Sequence, residues 1–323
     1  MSVTYSVVIP TYNRSHQLLL TLTSFENQTF PDSEFEVIVV NDGSNDDTGD
    51  VLDSYRPSYN FHYISNRSQQ GRSKTRNIGA KQAKGKYLIF CDADFLVLPS
   101  FIEVIDSYHR IYKDTVISGV PESWKGIYTH FYPEFTDYEK TTISYFLSQK
   151  KLWDDSYLNS SQVVDILTPQ DIRENIEKVE EMVAWSMSQE VRNECRRTDV
   201  APWLLCITRC VSMEKKHFDQ AGGFYEGFIK YGLEDWELGY RLHRLGVSFI
   251  SMDKTIGYHQ EHPVSFRGED GNVENLKMIY RMHGTSDPEL VLMAIHPPWS
   301  DFYNYKNALR RLKDYLPPEG ILS

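Results

Sequence analysis

The stretch KYLIFCDAD, Lys86 to Asp94, decides how the chain folds. KYLIF is a short apolar run, bounded and compact enough to be a strand covered on both faces, as strands of parallel sheets are. It runs out on two carboxylates one residue apart, Asp92 and Asp94. Like charges that close repel, and each loses hydration if the site is dry, so a positive partner is expected there.

Outward from this strand, the first ~120 residues alternate strand and helix patterns, which implies a mostly parallel sheet with helices on both faces. YSVVIP, FEVIVV and FHYIS are the strands that precede KYLIF, and TVISGV follows it. Helices are expected over His16–Phe25, Asp47–Tyr55, Ser73–Ala83 and Pro99–Tyr112. The character changes between Pro121 and about Val200, where Tyr, Trp, Phe and charge interrupt the alternation. Within this region Thr168 caps a pattern that begins with Pro169. Ile172, Ile176, Val179, Val183 and Met187 recur at helical spacing, predicting one helix that packs on the core or contacts an acceptor, a partner or a membrane surface. PWLLCITRCVSM resumes as strand, Glu234–Leu245 as helix and VSFIS as strand; the last ~50 residues are helices and loops.

The 323 residues carry a formal charge of −11, which disfavours a nucleic-acid backbone as partner. No segment approaches the ~20 apolar residues a membrane span needs, and MSVTYSVVIPTYNR lacks the charged-then-apolar order of a secretory signal. The spacing of Cys91, Cys195, Cys206 and Cys210 fits no zinc pattern, so reduced thiols are expected.

In an open α/β sheet, ligands sit at the carboxyl ends of the strands. Asp92 and Asp94 lie at such an end, and hard oxygen donors one residue apart suit Mg2+ or Mn2+ bridging two phosphates. A lone D-x-D is also a common solvated turn, with Asp94 capping the next helix. Here, however, consecutive strand ends would gather Asp42, Arg72, Asp92 and Asp94 in one pocket.

The order PTYNR (Pro10–Arg14), NDGSNDDT (Asn41–Thr48), then GRSKTRNIGAKQAKGKYLIFCDAD (Gly71–Asp94) resembles the nucleotide-binding half of family-2 inverting glycosyltransferases with the GT-A fold. The resemblance covers about residues 5 to 120. A second block, AGGFYEGFIKYGLEDWELGYRLHRLG (Ala221–Gly246), is similar to the acceptor-side motif of the same superfamily. It also resembles a segment of galactosyl- and N-acetylgalactosaminyltransferases, including chondroitin-polymerase-like enzymes.

The resemblance implies an α/β, Rossmann-like, mostly parallel sheet flanked by helices. A catalytic domain is expected over 1–270: a nucleotide-binding half (1–120), a mostly helical insertion (121–200) and an acceptor-side half (201–270). A helical extension (271–323) follows. It further implies that Pro10, Thr11, Tyr12 and Arg14 lie against base and ribose, that Asp42 accepts the uracil N3–H, and that Arg72 and Arg76 lie near base or diphosphate. Asp92, Ala93 and Asp94 would form the metal and diphosphate corner. His259 is the expected third ligand to Mn2+ or Mg2+, with His262 the weaker candidate. Asp235 would be the base that deprotonates the acceptor hydroxyl. Glu234 would bind the acceptor, Trp236 would stack on a sugar, and Gly222 and Gly223 would let the backbone approach the donor.

The expected reaction is transfer from a nucleotide-sugar, a UDP-sugar above all, to a glycan, lipid-linked or peptide acceptor. A galactose- or hexosamine-type donor is weakly favoured. The expected setting is the cytoplasm, with peripheral membrane docking one option; oligomeric state stays open. Three other classes compete. A dinucleotide-dependent oxidoreductase wants a glycine-rich first turn, absent from PTYNR. An aspartate-nucleophile phosphatase wants a small residue and then a hydroxyl or valine where Phe95 and Leu96 stand, and its acidic pair ends the first strand rather than the fourth. A non-catalytic sugar-binding protein on a transferase scaffold has no need of both acidic motifs.

Overall fold

The computed structural model describes residues 3–315 apart from Ile229 and Glu269. The end of the expected C-terminal extension, 316–323, lies outside the described residues. The strands are β1 (Tyr5–Thr11), β2 (Phe35–Asn41), β3 (Asn60–Ser65), β4 (Tyr87–Cys91), β5 (Phe95–Val97), β6 (Thr115–Ser118), β7 (Lys125–Ile127), β8 (His130–Phe131), β9 (Val164–Asp165), β10 (Val183–Ser186), β11 (Cys210–Glu214), β12 (Ser248–Ser251) and β13 (Gly257–Gln260). The α-helices are α1 (Ser15–Phe25), α2 (Thr48–Ser54), α3 (Arg72–Gln82), α4 (Phe101–Ile111), α5 (Asp137–Gln149), α6 (Pro169–Glu174), α7 (Ile176–Glu181), α8 (Gln189–Cys195), α9 (Lys215–Ala221), α10 (Glu234–Arg244), α11 (Asn272–His283), α12 (Pro288–Val291) and α13 (Phe302–Tyr315).

A seven-stranded sheet runs β12-β6-β11-β4-β1-β2-β3. Every neighbouring pair in it is parallel except the two made by β11, which is antiparallel to both β4 and β6. The expected mixed, mostly parallel α/β sheet flanked by helices is therefore present. Its inner strands β1, β2, β4, β6 and β11 are buried on both faces, and side-chain alternation divides them between two cores. Tyr5, Val7 and Ile9 pack with Ile89 and with Phe101, Ile102 and Ile105 of α4. Val8, Ile38, Val40, Leu88 and Phe90 pack on the other face with Ala80 of α3 and Leu238 of α10. Each such side chain contributes about 1.5–3 kcal/mol when fully buried. The contact of α3 with the sheet depends on Gly79, where an added Cβ would lie 2.4 Å from Val8 Cγ1.

A smaller sheet runs β10-β7-β13-β5. β5 follows the DAD turn directly, so that turn carries the chain from one sheet to the other. Residues 121–200 supply two strands of this sheet, β7 and β10, besides helices α5 to α8 and the two-stranded β8–β9 sheet. The single helix expected from Thr168 through Met187 is not formed. Its start holds, with Thr168 in a capping box with Asp171 and Pro169 in the first turn. Asn175 then leaves helical geometry at φ −143° and caps a second short helix through Lys178 N. Beyond Met182 the chain becomes β10, because pairing with β7 captures Val183–Ser186. PWLL is likewise not strand: Pro202–Leu205 form one 3-10 turn, and β11 begins only at Cys210.

Candidate active site

The site grows from the end of β4. After Cys91 the chain turns, Phe95 N donating to the Asp92 carbonyl at 3.1 Å. β5 then pairs antiparallel with β13, setting His259 opposite Phe95. Gln260 N donates to the Asp94 carbonyl at 2.8 Å, and this pairing brings Asp94, His259 and His262 together.

Hydrogen bonds fix where the imidazole protons lie. His259 Nδ1 sits 2.8 Å from Glu261 Oε1, so it donates there and leaves a lone pair on Nε2, 3.8 Å from Asp94 Oδ1. His262 Nδ1 sits 2.9 Å from the Pro263 carbonyl, which only accepts, so its Nε2 lone pair faces Asp94 Oδ2 at 3.4 Å. Burial pushes the His259 imidazole below its ordinary range, and Arg209 beside it pushes the same way. Burial alone would raise the Asp94 carboxyl, yet it is held well below its usual value, and Arg14 is the permanent cation among the groups that hold it there. Asp94 Oδ1 is buried without a hydrogen-bond partner among the described residues. Two imidazole nitrogens and an ionised carboxylate thus converge, one ligand atom from each within 4.8 Å of the others. That donor set fits a divalent cation of the Mn2+ kind.

The other acidic residues are organised by Arg76, which is 3% exposed. Its Nη1 donates to Glu234 Oε1 at 3.0 Å and its Nη2 to Asp92 Oδ1 at 3.3 Å. One buried guanidinium therefore joins the DAD turn to the start of α10. Asp92 is turned to this cation and is not brought into the Asp94–histidine cluster. Arg76, expected near base or diphosphate, spends both terminal nitrogens on carboxylates. Helix α10 opens after Leu233, a buried non-glycine residue at φ +67°, a conformation that costs of order 1–3 kcal/mol and persists where surroundings enforce it. Glu234 Oε2 is buried and has no hydrogen-bond partner among the described residues. Asp235 accepts from Trp236 N at 2.9 Å and from Thr208 N at 3.4 Å. Burial, then the adjacent Glu234, pushes the Asp235 carboxyl up to about 7. Both outweigh the pull of Arg76, and the result is a carboxylate that takes and releases protons near neutral pH.

The remaining expected residues divide. Thr11 Oγ1 is buried without a partner, the Tyr12 ring is 37% exposed, and Pro10 is partly covered beside them. Arg14 reaches away from this edge: its Nη2 donates to the Phe266 carbonyl at 2.8 Å, and it faces Asp94 and Tyr132. Asp42 is buried and closes the loop before α3, accepting from Asn66 Nδ2, Gln70 N and Gly71 N at 2.8, 2.8 and 2.9 Å. Arg72 lies over the Tyr231 ring and donates to the Arg267 carbonyl at 3.2 Å. The Ala93 carbonyl accepts from Thr21 Oγ1 at 2.9 Å.

One reading is corrected. Trp236 is not free to stack on a sugar: it is buried, and its indole N–H donates to the Leu204 carbonyl at 3.0 Å, because the 3-10 turn at Pro202–Leu205 covers that face of α10. Gly222 and Gly223 are required by the turn that ends α9, at φ +80° and +72°, with Gly223 packed on Asn77.

Three residues escaped sequence reasoning. Glu261 orients His259, and strand alternation, which puts residues 259 and 261 on one face, could have signalled it. Arg209 has Nε and Nη1 buried without hydrogen-bond partners among the described residues, lies over Trp124, and offers its carbonyl to Asp92 N at 3.4 Å. Only the antiparallel placement of β11 beside β4 brings it there. Tyr132 Oη, also buried and unpartnered, comes from the 121–200 region and faces Arg14 and Asp94.

Residues 6–157 match the model of glycosyl transferase family 2, and residues 202–263 match the model described as the N-terminal domain of galactosyltransferase. An uncharacterized glycosyltransferase of Bacillus subtilis, YfnE, is 29% identical over 302 residues, covering 91% of this chain and 74% of that one. Chondroitin synthase of Escherichia coli is 29% identical over 260 residues, which is 80% of this chain but 35% of the synthase. Among solved structures, Staphylococcus aureus TarS 1–349 in complex with UDP-GlcNAc superposes with a TM-score of 0.60 at 16% identity, covering 93% of this chain and 73% of that one. The fold is the one seen in TarS 1–349.

Proposed function

We propose that the chain is a family-2 glycosyl transferase that moves a sugar from a UDP-sugar to a hydroxyl of a glycan-type acceptor with inversion at the anomeric carbon. The observation that carries this reading is the pair of imidazole lone pairs aimed at Asp94, next to an acidic motif in which Asp235 titrates near 7. Asp94, His259 and His262 would hold Mn2+ or Mg2+, which supplies charge neutralisation for the departing diphosphate.

The chain's own residues do the rest. Arg209 offers its two unpartnered N–H groups to diphosphate oxygens, a charge-assisted contact. Tyr12 presents an exposed ring to the base, with Asp42 and Arg72 bordering it. Gly222 and Gly223 line the donor-sugar side. Glu234 accepts an acceptor hydroxyl on Oε2, and Asp235 takes the proton of the attacking hydroxyl. One base and no enzyme nucleophile is the requirement of single-displacement, inverting transfer. Support for the donor class comes from the UDP-GlcNAc held by the structurally similar TarS fragment. The acceptor is a saccharide, lipid-linked sugar or peptide, and the setting is the cytoplasm, free or docked on the membrane. Among the described residues no helix is long and apolar enough to cross a membrane.

The test is UDP release from UDP-glucose, UDP-galactose, UDP-GlcNAc, UDP-GalNAc and UDP-glucuronate, with Mn2+ and with chelator, plus NMR assignment of the product anomer. Metal-dependent release from at least one donor and an inverted product are expected. Release indifferent to chelation, or retained configuration, refutes the reading.

A further inference from the structure

A second constellation of metal-type donors lies outside the site above. It comprises His16 in the first turn of α1, His130 on β8 and Asp165 on β9, with one ligand atom from each within 4.8 Å of the others. His130 Nε2 is 3.5 Å from Asp165 Oδ1, and His16 Nδ1 is 4.0 Å from the same oxygen. The scaffold is ordered, since His130 and Asp165 stand directly opposite each other in the β8–β9 register.

The proton on His130 can be placed from its neighbours. Gln260 Nε2 donates to the Gln17 carbonyl at 3.0 Å and to Thr21 Oγ1 at 2.8 Å, which fixes the amide orientation. Gln260 Oε1 therefore accepts from Thr129 Oγ1 at 3.0 Å. Gln260 is fully buried, so withholding that donor would strand its oxygen at a cost of about 1–3 kcal/mol. Thr129 has a single proton, spent there, so its oxygen accepts from His130 Nδ1–H at 2.9 Å. The lone pair of His130 is then on Nε2, facing a carboxylate oxygen: two acceptors opposed, with a second imidazole beside them. A protonated imidazole on a carboxylate would close to about 2.7–2.9 Å, shorter than the 3.5 Å seen. The same opposition of lone pair and carboxylate marks Asp94, His259 and His262.

We propose that His16, His130 and Asp165 bind one divalent transition-metal ion of the Zn2+ class, separate from the catalytic centre, and that this ion fastens the β8–β9 strand pair to α1. Two imidazoles and one carboxylate, with water in a fourth position, are a donor set Zn2+ accepts. The Thr129–Gln260 chain is the outer support that metal-binding histidines need to hold tautomer and ring orientation. His16 and Asp165 are about half exposed, which gives an ion access and lets both side chains close the short remaining distance.

The full chain carrying Asp94→Asn, which disables the Asp94 cluster, is dialysed against Zn2+ and its metal counted by elemental analysis. One tightly bound Zn2+ per chain is expected. Adding His16→Ala or Asp165→Asn, both at half-exposed positions, weakens that binding at least tenfold and abolishes Zn2+-induced hydrogen-exchange protection over 128–131 and 163–166. A metal-free Asp94→Asn chain, or Zn2+ binding that ignores both added substitutions, overturns the proposal. Either result leaves the transferase reading standing, since that is read from Mn2+-dependent UDP release.

Discussion

Replacing Asp235 by Asn should make the protein more stable while abolishing sugar transfer. The Asp235 carboxyl is raised from its ordinary 3.8 to about 7, first by burial and then by Glu234. The folded state therefore holds this proton more tightly than the unfolded state, and stability falls as pH rises from about 4 to about 7. A shift of about 3 units corresponds to about 4 kcal/mol at full burial. Asp235 is only partly buried and solvent screens it, so about half, roughly 2 kcal/mol, is the expected gain from removing the charge at pH 8. The asparagine keeps the bond from Trp236 N and gives up the longer one from Thr208 N. For a chain of this length the gain amounts to roughly 3 °C in Tm. Thermal unfolding of both proteins from pH 4 to 8, with UDP binding by calorimetry and transfer by UDP release, makes the comparison. Asp235→Asn should unfold higher at pH 8, lose that advantage near pH 4, bind UDP normally and not transfer, and wild-type transfer should decline below about pH 7. Equal or lower Tm at pH 8 would show that Asp235 carries no strain, and normal turnover would remove it as base.

Other substitutions probe other links. Arg76→Met strands the buried Glu234 and partly buried Asp92 carboxylates that share its guanidinium; denaturant titration should show a loss of about 3–5 kcal/mol, and a loss under 1 kcal/mol would contradict the bridging role. Glu261→Ala removes the acceptor that orients His259; Mn2+ affinity by calorimetry should fall about 10- to 100-fold, with unchanged affinity counting against the assignment. Gly79→Ala drives a methyl into Val8; denaturant unfolding should register about 1–3 kcal/mol of overpacking, and wild-type stability would mean that α3 moves away freely.

The sequence made the large sheet legible because parallel strands buried on both faces are continuous apolar runs, as in β1, β2 and β4, and intervening helices declare themselves by period and caps. It failed where long-range pairing overrides a local pattern. Val183 and Met187 continue the spacing of Ile172 and Val179, but β7 claims Val183–Ser186 as a strand partner, and nothing local at Val183 announces that. PWLL is apolar enough for a strand, yet it is wound into a turn whose Trp203 indole donates to Glu289 at 2.6 Å, 86 positions away. The site divided in the same way. Asp94, Asp235 and His259 stand in motifs that carry their own context. His262 follows the end of β13 and enters the cluster only because β13 pairs with β5, and Arg209 reaches it only because β11 runs antiparallel beside β4. Trp236 failed for the opposite reason: a tryptophan at a helix start resembles a sugar platform until a distant turn covers it.

The central claim is that Asp94, His259 and His262 are built around a cation that meets the diphosphate of a sugar donor. An anomalous-difference map from crystals soaked in Mn2+ and UDP tests it most directly. The account predicts one strong peak within bonding distance of Asp94, His259 Nε2 and His262 Nε2, touching a phosphate oxygen. Bound UDP with no peak at that corner, or a peak whose protein ligands are other residues, would contradict it.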